Sequence, residues 1–168
     1  MKSAAAQIES SGGAIDYLLN NAAYSSDRGK VEDFDPEVAM KYFRINTVGA
    51  TLVMKHFLPL VRKSTHKTII NISSGVGAFE AGSPKPPGTV YYSSSKTALN
   101  MITAYAVKEW TDVTIALITP GLTKTALSGG MGLDVDESVR RVLKRVHEVK
   151  KEDSGSFWNA QEGRIQGF

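Results

Sequence analysis

The 168-residue sequence predicts an α/β fold with a layered parallel sheet. Three observations carry this. Short apolar runs of strand length alternate with longer segments of helical spacing. The strand-like runs lack the apolar/polar alternation of a half-exposed sheet, so they read as strands covered on both faces. The segments between them are long enough to return the chain to the same end of the sheet, which implies parallel strands and right-handed crossovers.

Residues 2–10 read as the end of a helix, stopped by Ser11-Gly12-Gly13. Ile15 to Asn20 is the first predicted strand, with Tyr17, Leu18 and Leu19 at its centre. Asp35-Pro36-Glu37 is a helix start: an acceptor at the cap, proline in the first turn and an acid after it. The helix runs toward Arg62, and Pro59 is expected to kink or end it. Thr68 to Ile72 is the second strand, followed by a Gly- and Pro-rich loop from Gly75 to Gly88. Tyr91 to Trp110 reads as a helix with Ala98, Leu99, Ile102 and Ala106 inward. Val113 to Ile118 is the third strand, ended by Pro120-Gly121. Asp136 to Lys151 is the last helix, Ser156-Phe157-Trp158 a short final strand, and Glu162-Gly163 a turn. About four strands with flanking helices form one domain over 1–168. Ligands of such sheets bind beyond the carboxyl ends of the strands, and Asn20, Ser74 and Pro120 all fall there.

Composition narrows the function. The absence of cysteine removes disulfides, thiolate metal sites and cysteine nucleophiles. A net charge of +3 is too small to argue for nucleic acid. Arg140, Arg141, Lys144, Arg145, Lys150 and Lys151 alternate with Val139, Val142, Leu143, Val146 and Val149, the solvated back of an amphipathic helix. The first residues hold no apolar signal-peptide core, and no run is long enough to span a bilayer. The expectation is a cytoplasmic protein with no nucleic-acid or membrane partner. His56, His66 and His147 are scattered and form no metal-ligand set.

The chemistry centres on Tyr92-Ser93-Ser94-Ser95-Lys96. Positions i and i+4 share a helix face, so the Lys96 ammonium is expected near the Tyr92 phenol. A free tyrosine titrates near 10. A cation ~4 Å away at an effective dielectric of ~20 contributes roughly 4 kcal/mol, about three pKa units, which would bring the phenol near 7. With six tyrosines in the chain the pair alone is a weak signal. Its companions strengthen it. Asn71-Ile72-Ser73-Ser74-Gly75 ends a strand with hydroxyls that can hydrogen-bond a carbonyl, or that simply form a turn. Asn20-Asn21-Ala22-Ala23 ends the first strand, Pro120-Gly121-Leu122-Thr123-Lys124-Thr125 ends the third, and Asn46 sits inside a helix, where asparagine is a poor local choice.

This ordered set resembles the short-chain dehydrogenase/reductase family. Asn20 to Ala23 match its Asn-Asn-Ala-Gly, with Ala23 in place of glycine. Asn46 matches its helical asparagine and Ser74, rather than Ser73, its serine. Tyr92 and Lys96 match its Tyr-x-x-x-Lys; Tyr91 is excluded because Ser95 lies four residues on. Pro120, Gly121 and Thr125 match its Pro-Gly and threonine. The ending Ser154-Gly155-Ser156-Phe157 with Gly163 is similar to the carbonyl-reductase branch related to sniffer and C-factor proteins. The resemblance implies a partial Rossmann-like parallel sheet. It also implies an oxidoreductase moving hydride between NADP(H) or NAD(H) and a carbonyl or alcohol. In it Tyr92 transfers the proton, Lys96 lowers its pKa and holds the nicotinamide ribose, Ser74 polarises the carbonyl, and Asn46 positions a relay water. Asn20, Ala22, Tyr92, Lys96, Pro120, Gly121 and Thr125 are the implied cofactor-binding positions. Residues 126–133 are the implied mobile lid. The Ser74–Tyr92 gap is longer than usual, with Pro84, Pro86 and Pro87 in an inserted loop expected to shape substrate entry.

The family's N-terminal strand, its Thr-Gly-x-x-x-Gly-x-Gly turn and its first helix have no counterpart in the sequence. Gly75-Val76-Gly77 is no substitute, since it follows the catalytic strand and has no third glycine at the right spacing. Without that turn the pyrophosphate has no backbone cradle, so the chain is expected to be N-terminally truncated and to bind nucleotide poorly or not at all. Two alternatives follow. One is a cofactor-independent acid/base enzyme, an isomerase, dehydratase or cyclase; the other is a non-catalytic remnant acting in a complex. The bared edge of the first strand predicts self-association, a complementing chain or aggregation. So do the helices Pro36–Arg62 and Tyr91–Trp110, which match those of the family's dimer interface.

Overall fold

The computed structural model describes residues 1–79 and 86–165, without the side chains of 164 and 165. Helix α1 spans Lys2–Ser10. Strand β1 is Tyr17–Asn20, two residues shorter at its start than expected. The Ile15 amide turns instead to the Leu60 carbonyl, and the Asp16 carbonyl accepts from Thr68. Helix α2, Pro36–Tyr42, is capped by the Asp35 carboxylate, which accepts from the Glu37 and Val38 amides. It runs without a break into a π-helical segment, Phe43–Gly49, and then into α3, Ala50–Arg62. Pro59 does not end α3, which continues three residues beyond it. The carbonyl it orphans, on Lys55, is on an exposed residue where water can satisfy it.

Strand β2, Thr68–Ile72, has the expected bounds and is buried along its length. Helix α4 spans Val90–Glu109 and β3 Thr114–Thr119. Helix α5, Val135–Glu148, stops earlier than expected. The chain leaves it at Val149 in extended geometry and makes a short turn at Lys151–Asp153. The Gly155 amide then reaches the Ile115 carbonyl at 2.8 Å. Strands β4, Phe157–Asn159, and β5, Gly163–Ile165, follow.

The sheet has the order β1-β2-β3-β4-β5. The first four strands are parallel and β5 returns antiparallel on β4. Four parallel strands were expected; the fifth was not, because Gly163-Arg164-Ile165 carries no apolar pattern. Side-chain alternation splits the core. Ile69 and Ile115 meet Met54, Leu58 and Val61 of α3 and Ala106 of α4. Ile70, Ile72, Ala116 and Ile118 meet Val146 of α5. The helices linking β1 to β2 and β2 to β3 therefore cover one face and the helix linking β3 to β4 the other. Strand order advances uniformly, so the last crossover has the opposite hand from the first two, which corrects the expectation of one hand throughout. The long rim segment 120–134 carries the chain across to the second face.

Candidate active site

The carboxyl ends of β1, β2 and β3 form one rim. Ser74 follows β2, and the turn at residues 75–77 is sewn onto α4. Thr97 Oγ1 and Asn100 Nδ2 both donate to the Gly77 carbonyl, at 2.9 and 3.2 Å, and Ser73 Oγ donates to Asn100 Oδ1 at 2.6 Å. A Cβ on Gly77 would lie 2.8 Å from Lys96 Cβ, so this approach requires glycine. The docking sets Ser74 beside Tyr92, close enough for its hydroxyl to favour the phenolate form of Tyr92.

Lys96 is buried, 2% exposed. Its ammonium donates to the Ile72 carbonyl at 2.7 Å and lies 5.8 Å from the Tyr92 ring centroid. The i,i+4 geometry thus brings the pair together, but the electrostatic outcome differs from expectation. Burial raises the Tyr92 pKa; the Ser74 hydrogen bond lowers it, and nearby Tyr42 raises it again. Burial also pulls Lys96 down to about 8. The expectation of a phenol near 7 is corrected. Both groups are desolvated, and the cation is directed at a backbone carbonyl rather than at the phenol oxygen.

Asn46 lies in the π-helical segment, 1% exposed. Its Oδ1 accepts from the Tyr24 amide at 2.6 Å. Its Nδ2 donates to the Tyr24 carbonyl at 2.9 Å and to Ser95 Oγ at 3.0 Å. Ser95 Oγ in turn donates to the Tyr92 carbonyl at 2.8 Å. The carboxamide therefore ties the segment after β1 to α4 beneath Tyr92. π-turns inside α-helices often mark functional sites, and here the widened turn carries this one asparagine inward.

The remaining expected positions divide. Asn20 is buried and donates to Asn71 Oδ1 at 2.7 Å, and Asn71 donates to Thr103 Oγ1 at 2.8 Å. This buried polar ladder joins β1, β2 and α4. Ala22 is exposed. Thr125 caps the short turn 126–128 reciprocally with Ser128, on the exposed loop beyond the Pro120-Gly121 turn. In the proline-rich loop, Pro84 lies outside the described residues. Pro86 and Pro87 border a concavity of roughly 720 Å³ shared with Ser94, Ala98 and Met101. That concavity is on the face of α4 opposite Tyr92, so it is not the reaction site. Ala98, expected inward, opens onto it.

Sequence reasoning missed Ser95, Asn100 and Gln161. Ser95 and Asn100 are small polar residues at buried positions of α4, which hydropathy reads as surface. Gln161 Nε2 donates to the carbonyls of Pro120 and Leu122 at 2.8 and 3.2 Å, across a distance in sequence that no local pattern reveals. Among the described residues no group of three His, Cys, Asp or Glu could hold a metal ion, and no helix is long and apolar enough to cross a membrane.

A family model described as short chain dehydrogenase matches residues 1–136. The short-chain dehydrogenase srdF of Neurospora crassa is 31% identical over 163 residues, covering 89% of this chain and 63% of its own length. C-signal of Myxococcus xanthus is 30% identical over 156 residues, covering 89% of this chain and 90% of its own. The chain thus spans a little under two thirds of srdF but most of C-signal. Among solved structures, an NADPH-bound carbonyl reductase from chicken fatty liver superposes with a TM-score of 0.85 at 26% identity, over 99% of this chain and 72% of that one. Carbonyl reductase Sniffer of D. melanogaster superposes with a TM-score of 0.90 over 99% of this chain and 73% of that one; at 22% identity it speaks to the fold alone.

Proposed function

Since the chain belongs to the short-chain dehydrogenase family, a family of oxidoreductases, we propose that it carries the proton-transfer half of a carbonyl reduction. The observation that supports this best is the hydroxyl pair: Ser74 beside a half-buried Tyr92, whose phenol it favours in the ionised form, with the Lys96 ammonium beneath. A raised phenol pKa keeps Tyr92 protonated at neutral pH, the form that donates. Ser74 donates to the carbonyl oxygen of a bound substrate, and Tyr92 delivers its proton to that oxygen as negative charge develops there. Lys96, still largely protonated below pH 8, steadies the phenolate left behind. Asn46, through Tyr24 and Ser95, fixes the floor on which Tyr92 stands.

The residues present fit the nicotinamide-ribose end of NADP(H) or NAD(H). An ammonium has three donors, and Lys96 spends one on Ile72, leaving others for a ribose diol. The Pro120-Gly121 turn and Asn20 lie on the same rim. When bound, the nucleotide supplies the hydride to the carbonyl carbon.

The test is NADPH oxidation by the purified chain with a panel of aldehydes and ketones. Tyr92→Phe should lower turnover by about 10²–10⁴-fold with an unchanged circular dichroism spectrum. Full activity in Tyr92→Phe would overturn the assignment. Turnover without nucleotide that is lost in Tyr92→Phe would favour a proton-only reaction at the same pair.

A further inference from the structure

The rim turn after β3 is held from outside by the β4–β5 hairpin. Gln161 Nε2 donates to Pro120 O and Leu122 O, bridging Gly121. The fit is close: Gly121 has φ +74°, and a Cβ there would sit 2.7 Å from Gln161 Cδ. The hairpin is itself tied down. The Gln161 amide donates to Asn159 Oδ1 at 2.9 Å, and the Ala160 amide to the Thr119 carbonyl at 2.9 Å. The Leu122 carbonyl is also where the loop 122–133 closes on itself. It accepts from the Leu133 amide at 2.9 Å, and Gly132, φ +109°, passes so close that a Cβ would overlap it at 2.3 Å. Both lone pairs of that one carbonyl are therefore used, one by the loop's return and one by Gln161. Beyond this base the loop leaves Leu122, Leu127 and Met131 exposed, and it springs from the end of β3, the strand paired with the β2 that leads to Ser74.

We infer that Gln161 is a positioning residue: its carboxamide fixes the turn at residues 120–122 and thereby sets how the apolar loop 122–133 meets a carbonyl substrate. The substrate part rests on the reductase reading above. Gln161 touches no reacting atom. It acts through the backbone of Pro120 and Leu122, so it governs where substrate rests and not the proton step.

Gln161→Glu keeps the shape and removes both donors, and Gln161→Ala removes the side chain. Hydrogen exchange of the chain alone should speed up about tenfold across 121–133 in both, with β2 unchanged. For carbonyl reduction, KM should rise about five- to tenfold with kcat within about twofold and an unshifted pH profile. From the other side of the contact, Gly121→Ala should reproduce the exchange change. Its effect and that of Gln161→Ala should be less than additive, because each relieves or breaks the same contact. Unchanged exchange in 121–133 would overturn the inference. So would a fall in kcat with a displaced pH profile, which would place Gln161 in the proton step. A wild-type chain that reduces no carbonyl would defeat the reductase reading instead, with the turn-fixing role still decided by exchange.

Discussion

Helices α4 and α5 cover opposite faces of one sheet and are built by opposite rules. In α5 the only buried polar side chain is Ser138. Its charged groups lie outward and pair among themselves: Glu137 with Arg140 and Arg141, and Glu148 with Lys144 and Arg145. Helix α4 buries Ser95, Lys96, Asn100 and Thr103 and exposes Met101 and Tyr105. Burying polar groups costs stability unless each is satisfied, and in α4 each has a partner. Ser95 meets Asn46, Lys96 meets the Ile72 carbonyl, Asn100 meets Ser73 and Gly77, and Thr103 meets Asn71. The helix that gives up apolar packing against the sheet is the one that carries Tyr92. Its inner face is a hydrogen-bonded frame that fixes the pair against Ser74 and Asn46.

The sharpest contrast is Asn100→Leu against Arg141→Ala. The first strands Ser73 Oγ in the interior and cuts a tie between α4 and Gly77; it should cost about 2–3 kcal/mol in urea unfolding. The second removes an ion pair on a side chain that is 42% exposed and should cost less than about 0.5 kcal/mol. Comparable losses in the two would mean that the frame of α4 is not what holds it.

The same contrast explains what the sequence discloses. Helix α5 reads directly, because Val135, Val139, Val142, Leu143 and Val146 recur at helical spacing among charges. The strand Thr68–Ile72 reads equally well as an unbroken β-branched run. In α4 the motif Tyr92-x-x-x-Lys96 is visible but the buried face is not. Ala98 looks like core and is only half-buried, while Asn100 looks like surface and is 2% exposed. Hydropathy cannot report a face whose burial rests on partners about 20 to 50 residues away in sequence. The fifth strand and the opposite-handed crossover escaped for a related reason. Both follow from where the rim segment 120–134 sends the chain, a matter of tertiary packing that local propensity does not encode.

A smaller effect tests the cost of the α4 frame. Lys96 titrates at about 8 in the fold against 10.5 ordinarily, so between those values the unfolded chain binds a proton that the folded chain does not. The sign follows: Lys96 penalises the fold fully below pH 8, and that penalty is relieved as pH rises through the window toward 10.5. The relief is on the order of 3 kcal/mol. Measured from pH 7 to 10.5, wild type should gain stability relative to Lys96→Met, which has no such group. At pH 7 the variant should be the more stable by about 1–2 kcal/mol, since loss of the bond to the Ile72 carbonyl offsets part of the gain. A wild-type-minus-variant difference that stays flat across the window would show that burial does not hold Lys96 down.

The smallest effect on stability belongs to the outer face of α4, and there the readout is assembly. Met101 is 58% exposed and Tyr105 63%, one turn apart on the same side of the helix. On the neighbouring π-helical and α3 segments Ile45, Val48 and Leu52 are also more than a third exposed. Large apolar groups gathered on one surface suit contact with another chain better than contact with water. We therefore expect copies of this chain to self-associate through that face. The double variant Met101→Lys/Tyr105→Glu touches no core contact, so its unfolding free energy should stay within about 0.5 kcal/mol of wild type. In sedimentation at matched concentration it should run as a smaller species. The apolar flank of α5 provides the comparison, because Val139 and Leu143 are 49% and 44% exposed. Val139→Lys/Leu143→Glu should leave the sedimentation coefficient where it was if α4 is the face in use. Dissociation by the α5 pair and not by the α4 pair would move the contact to the other face of the sheet.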